Sequence, residues 1–207
     1  MKVSVILAHP RKGSFNHAIA EVVMKTLASK GHEVIFHDLY SERFPAILPA
    51  TEISRGATLP KIISRHCTEI SRAEGIIIVH PNWWGQPPAI LKGWIDRVLR
   101  PGVAYTFAEG NSGDGELIGL LKANVIVVFN TSDTPREREL STYGDPLETL
   151  WKNNMLISCG VKSYCRKTFG VIVTSTLEQR ERWLKQVEEI TKQQFPEPKN
   201  EKQIEWS

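Results

Sequence analysis

Cysteine is scarce in this chain, with only Cys67, Cys159 and Cys165 among 207 residues. An odd count without metal-ligand spacing excludes a disulfide framework and a zinc motif, and reads as thiols kept reduced in a cytoplasm. No apolar run approaches the roughly 20 residues of a membrane helix, so no membrane insertion is expected. The N-terminal MKVSVILAHP has a short apolar stretch and no small-residue cleavage site, so it reads as a strand and not as a signal peptide. No charge of one sign prevails: 26 basic and 23 acidic residues leave +3. That balance, without a basic stripe, gives no footing for nucleic acid. Neither the P-loop nor the G-x-G-x-x-G pattern is present, which argues against nucleoside triphosphatases and Rossmann-type dehydrogenases. There is no Ser/His/Asp constellation and no internal repeat. At this length one domain is expected, over residues 1–195, followed by a polar tail, 196–207, containing two prolines.

The chain centres on Gly75–Phe107, GIIIVHPNWWGQPPAILKGWIDRVLRPGVAYTF. Ile76–Val79 is a short β-branched run with the character of a buried strand. It ends at His80-Pro81, where the ring nitrogen of Pro cannot donate to a sheet. Asn82-Trp83-Trp84-Gly85 follows, and Pro87-Pro88 suits the first turn of a helix. Ile90, Leu91, Trp94, Ile95, Val98 and Leu99 then recur at helical spacing. Two adjacent indoles cannot both point inward from a strand, which leaves one flat apolar face for a flat ligand. An aromatic pair after a strand equally suits a core. His80 reads as structural, and Asp133 as either a turn cap or a ligand contact.

The rest of the chain supplies four more strand patterns: Lys2–Ala8, Glu33–Phe36, Asn124–Phe129, and one within Ser163–Val173 best seen in Gly170–Val173. Helical patterns span His17 to about Lys30, with Asn16 as its cap, then Lys61–Ala73, Pro146–Cys159 and Glu178–Gln194. Ser41–Leu59 is a long excursion with little periodicity. Ala108–Gly115 is polar and glycine-rich, a surface loop. Strands alternating with helices predict an α/β three-layer sandwich with a five-stranded parallel sheet in the flavodoxin-like order 2-1-3-4-5. For that order a flavin is placed at the switch point between strands one and three, here the loops after His9 and His80. The first loop, HPRKGSFN, offers Gly13 for a turn, Ser14 as a hydroxyl, and Arg11, Lys12 and His9 as cations, a set suited to phosphate. A plain strand-to-helix turn explains the same residues equally well.

PNWWGQPPAILKGWIDRV, followed by AYTF, resembles the NAD(P)H:quinone oxidoreductases, flavoproteins of flavodoxin-like fold. AHPRKGSFNHAIAE is similar to the same family's phosphate loop, and the resemblance runs from Val3 to Val173. It implies that His9, Lys12, Ser14, Phe15 and Asn16 hold the phosphates and ribityl chain of a flavin, FAD or FMN. It implies that Pro81, Asn82, Trp83, Trp84 and Gly85 line the isoalloxazine ring, with Asn130, Thr131, Ser132 and Asp133 at its pyrimidine end. Tyr105 and Phe107 would project into the site of the other subunit of a homodimer with shared active sites. Tyr105 and Tyr143 are the residues expected to hydrogen-bond the acceptor. The implied reaction is a ping-pong transfer of two electrons from NAD(P)H through the flavin to a quinone.

This chain departs from the family pattern in four places. Thr131-Ser132-Asp133 stands where mammalian-type members have Thr-Gly-Gly, Tyr143 stands where a His is expected, and Phe107 replaces a Tyr. A Gln that contacts adenosine in FAD members is replaced near His66-Cys67. Two other classes fit the same fold: an ancillary flavin-binding subunit docked on a membrane transporter, and a flavodoxin-type electron carrier. Against the carrier stand Arg11-Lys12 and the net charge of +3.

Overall fold

The computed structural model describes residues 1–108 and 115–198. Most of the loop expected at Ala108–Gly115 and of the tail expected at 196–207 therefore lies outside the described residues. Five parallel strands build the main sheet: β1 (Lys2–Leu7), β2 (Glu33–Asp38), β3 (Gly75–Pro81), β6 (Val125–Thr131) and β7 (Ser163–Phe169). Their order is β2-β1-β3-β6-β7, the order expected from the alternation of elements. The remaining pair, β4 (Tyr105–Phe107) and β5 (Leu117–Gly119), forms a separate antiparallel hairpin.

Central strands of a parallel sheet are covered on both faces, so they read as unbroken apolar runs. β3 and β6 are buried at every position. Ile76 and Ile78 enter the core on one side with Ile6, Ile126 and Val128. Ile77 and Val79 enter the opposite core with Val3, Val5, Val127 and Phe129. Helices α2 (Lys61–Arg72) and α3 (Ala89–Val98) cover the first side through Ile63, Ile70, Leu91 and Trp94. Helices α1 (Phe15–Ser29) and α7 (Leu177–Gln194) cover the second through Ile19, Val23, Leu27 and Val187. Thr176 starts α7 with a reciprocal capping box to Gln179.

Three sequence expectations are corrected. The cap of α1 is Ser14, whose Oγ accepts from His17 N, and not Asn16. Gly13, at φ 69°, turns the chain so that Ser14 meets the first free N–H groups. The last strand is Ser163–Phe169 and not Gly170–Val173. β7 is an edge strand, and its half-buried alternation of Tyr164, Arg166 and Thr168 with Cys165 and Lys167 carries no apolar run. The segment after it crosses the end of β6, where Ile172 N donates to Ser132 O at 3.1 Å. The helix from Pro146 to Cys159 is divided into α5 (Pro146–Glu148), a π-helical segment Thr149–Leu156 and α6 (Ile157–Cys159). Trp151 sits in that segment, fully buried.

The excursion 41–59 is pinned from two directions. Arg97 of α3 donates through Nε to Glu52 Oε2 at 3.0 Å, and a further guanidinium N–H reaches Pro45 O. Gly93 lets the segment lie against α3, because a Cβ there would sit 2.1 Å from Ala46 O. A polar cluster closes the inner end. His37 places one ring nitrogen 2.8 Å from Glu42 and the other 2.8 Å from Glu69. His66 Nδ1 accepts from Trp94 Nε1 at 3.0 Å, so its proton sits on Nε2 and faces Glu42. Metal ligation through that nitrogen would require an imidazolate, so the cluster is built for hydrogen bonds. His66 and Cys67 are both buried.

Candidate active site

The carboxyl ends of β1, β3 and β6 bring three loops together, as the switch-point rule requires. The first, His9–Ser14, turns through Gly13 into α1. Its Arg11 and Lys12 are exposed, while Ser14 is buried. Ser14 Oγ and His17 Nδ1 lie 2.9 Å apart, and His17 Nε2 lies 3.5 Å from Asp38 without hydrogen-bond geometry. Burial, above all, holds His9 below the usual histidine range, and the neighbouring His17 and Arg11 act in the same direction. Phe15 turns away from the loop and packs against Phe169 and Trp183. Asn16 is buried in the first turn of α1, and its Nδ2 donates to Thr131 Oγ1 at 2.8 Å, tying the first loop to β6.

The second loop is a two-residue hairpin. Trp83 and Gln86 exchange both backbone hydrogen bonds at 3.0 Å, and the residues between them, Trp84 and Gly85, have φ of 56° and 70°. That is the left-handed pair of a type I′ turn, unusual for a tryptophan. The turn lifts Trp84 out of the protein completely, at 102% relative exposure. Trp83 is also exposed and its ring lies 6.3 Å from that of His9. The indoles are therefore not core. Gly85 is required twice, by its φ and because a Cβ would lie 2.9 Å from Pro146 Cγ.

The third loop begins with Asn130, Thr131 and Ser132, all buried. Asn130 turns its side chain inward, leaving only backbone for a ligand. Its Nδ2 and Trp151 Nε1 share His80 Nε2 as acceptor, at 2.7 and 3.1 Å, and His80 Nδ1 donates to Pro81 O at 2.8 Å. Burial pushes His80 down to about 4, so the ring is a neutral acceptor. Arg166 completes this layer, bonding Asn130 Oδ1 at 3.3 Å, Glu148 at 2.8 Å and Asp145. Asp145 also takes Arg136 at 2.6 Å and caps α5. Ser132 Oγ accepts from Thr134 N at 3.0 Å. Asp133 is exposed and accepts from Val173 N at 2.8 Å, which is the turn-holding role.

Beside the exposed Trp84 is a cavity of about 490 Å³, walled by Asn82, Trp84, Gly85, Thr134, Glu139, Tyr143 and Pro146. Tyr143 is one of the residues that line this cavity. Tyr105 and Phe107 do not join it within one chain. They line a separate groove of about 280 Å³ with Ile95, Leu99, Leu117 and Met155, and Arg55 stands over the Phe107 ring at 5.7 Å. Sequence reasoning missed Glu139, Trp151 and Arg166. Of these, Glu139 alone carried a signal, as the one inward residue in a run of charges, and that needed the helix phase to be known.

The donor set fits a flat, polar-edged cofactor. Four buried side-chain atoms lack a hydrogen-bond partner among the described residues; Asn16 Oδ1, in the first turn of α1, and Asn82 Oδ1, in the second loop, are at this site, while His17 Nε2 faces Asp38 at 3.5 Å. Native structures seldom leave such atoms unpaired without a ligand or water to meet them.

Fold and loop geometry together define a flavodoxin-like α/β protein with its candidate ligand site at the β1/β3 switch point. The chain belongs to the Flavodoxin_2 family, described as flavodoxin-like fold, whose model matches residues 1–193. It is 34% identical over 173 residues to a Haemophilus influenzae protein described as an uncharacterized NAD(P)H oxidoreductase, covering 81% of this chain and 83% of that one. It is 27% identical to the ribosyldihydronicotinamide dehydrogenase [quinone] of Mus musculus over 93% of both chains. Among solved structures, the NAD(P)H:quinone oxidoreductase from Methanothermobacter marburgensis superposes with a TM-score of 0.79 at 27% identity, covering 92% of this chain and 95% of that one. Among the described residues no helix is long and apolar enough to cross a membrane.

Proposed function

We propose that this chain is a flavin-dependent NAD(P)H:quinone oxidoreductase, passing two electrons from NAD(P)H to a flat, quinone-like acceptor. The observation that carries the reading is the meeting of three loops at the switch point, where Asn16 Oδ1 and Asn82 Oδ1 are buried without a hydrogen-bond partner among the described residues beside a fully exposed Trp84. When bound, a flavin supplies the hydride chemistry, and the protein supplies orientation and electrostatics. Ser14, the first N–H groups of α1 and the cations Arg11 and Lys12 suit phosphate. The Trp83–Gly85 hairpin offers backbone groups and an apolar wall to the ring. Pro81, Asn130, Thr131 and Ser132 bring backbone to its far edge. Tyr143 stands in the cavity to hydrogen-bond the acceptor.

On this reading Tyr105 and Phe107, in their separate groove, complete the site of a second copy in a homodimer. Cys67, Cys159 and Cys165 are all free thiols, which supports a reducing compartment, the cytoplasm. The test is the visible spectrum of the purified protein before and after anaerobic NADH or NADPH. Oxidised-flavin bands that bleach on reduction and return with a quinone are expected, and Trp83→Ala should weaken flavin retention. A colourless protein that takes up neither FMN nor FAD would overturn the proposal.

A further inference from the structure

The cavity beside Trp84 has one charged wall group. Glu139 is the single buried residue of α4 (Arg136–Ser141), at 5% exposure. Its Oε1 accepts from Asn82 Nδ2 at 3.1 Å. A carboxylate only accepts, so Asn82 must turn its amide nitrogen toward Glu139, and the two groups hold each other in place. Among the described residues no Lys or Arg lines the cavity. Glu139 has no ion-pair partner among the described residues: Arg136 is engaged on Asp145, Arg166 on Asp145 and Glu148, and the neighbouring Arg138 is exposed. Native proteins almost always pair a buried carboxylate. Here the negative field is left directed at whatever occupies the cavity.

We propose that Glu139 sets the charge class of the electron acceptor. The site admits neutral or cationic flat acceptors and rejects those carrying a sulfonate or carboxylate on the ring. The reduced nicotinamide ring, itself uncharged, is not opposed by this field. The inference rests on the reductase reading above, because only an acceptor stacked against the Trp84 wall feels the field at short range. A unit charge several ångströms from Glu139, at the effective dielectric of a partly open site, changes binding by about tenfold.

The experiment uses the flavin-loaded protein with saturating NAD(P)H. It compares kcat/KM for menadione and for a naphthoquinone sulfonate in the wild type and in Glu139→Gln. Gln keeps an oxygen for Asn82 and removes the charge. The preference for menadione should shrink about tenfold in the variant, mainly through the KM of the sulfonate. Two readouts do not depend on turnover of the variant. In the wild type, raising salt to about physiological strength should improve kcat/KM for the sulfonate and leave menadione unchanged. Redox-inert naphthalene sulfonate should perturb the bound flavin's absorbance only at concentrations about tenfold above those of naphthalene carboxamide. An unchanged ratio in Glu139→Gln, with both acceptors turned over, would refute the role of Glu139 alone. No turnover with either acceptor would refute the reductase reading and this proposal with it.

Discussion

Replacing His80 by Phe tests the layer beneath the site. The imidazole is fully buried, accepts from Trp151 and Asn130 through Nε2, and donates to Pro81 O. Phe keeps much of the volume and removes the acceptor. Two buried donors, Trp151 Nε1 and Asn130 Nδ2, are then left unpaired at about 1–3 kcal/mol each, so a loss of about 3 kcal/mol at neutral pH is expected after the phenyl's own burial is allowed for. The second half of the test is its pH dependence. His80 titrates at about 4 in the folded chain against 6.5 for the free side chain. Between those values the unfolded chain binds the proton and the folded one does not. The stability due to the neutral ring is therefore whole above the unfolded pKa and lost as pH falls toward the folded one, by about 2 kcal/mol at about pH 5. The variant has no such loss at this position. Urea unfolding followed by circular dichroism, with matched flavin content, should show the gap between wild type and variant closing by about 2 kcal/mol from about pH 7.5 to about pH 5. A gap that is constant across that range, or below about 0.5 kcal/mol at neutral pH, would refute the shared-acceptor account.

Gly85→Ala should cost about 1–2 kcal/mol in thermal unfolding, because φ is 70° and the new Cβ meets Pro146. A weakened flavin affinity should accompany it, and an unchanged Tm would show that the turn relaxes. Arg97→Met should cost about 3–5 kcal/mol, since it leaves Glu52, 4% exposed, buried without its cation. Proteolysis within 41–59 should accelerate in that variant, and wild-type resistance would count against the clamp. Trp84→Ala should leave stability within about 0.5 kcal/mol because the indole touches solvent all round. The acceptor KM should nonetheless rise about three- to tenfold through the lost aromatic wall, and an unmoved KM would remove Trp84 from the site.

Local sequence carried the reading wherever one residue type has few alternatives. Ile76–Val79 and the run from Val125 are apolar without a break, β-branched and short, which suits central strands covered on both faces. That Trp83 and Trp84 could not both point inward was legible, but the left-handed turn at Trp84-Gly85 that exposes both indoles was not. Polar chemistry was less legible. Ser14 and Asn16 are both good helix caps, and the choice fell to Ser14 because Thr131, 115 residues further on, takes the Asn16 amide. The edge strand β7 was blurred because its half-buried face needs no apolar run.

By itself, then, the sequence determined the layer order and the three loops that meet at the switch point, because strand burial and turn chemistry are properties of neighbouring residues. The tertiary structure alone decided what those loops rest on and what faces the cavity. His80 becomes a neutral acceptor only when Trp151 and Asn130 converge on it. Glu139 is distinguished from the other charges of RERE only by the side of α4 that Asn82 meets. Such pairings join residues scores of positions apart, and their energetics depend on the low dielectric that packing creates, which no local pattern encodes.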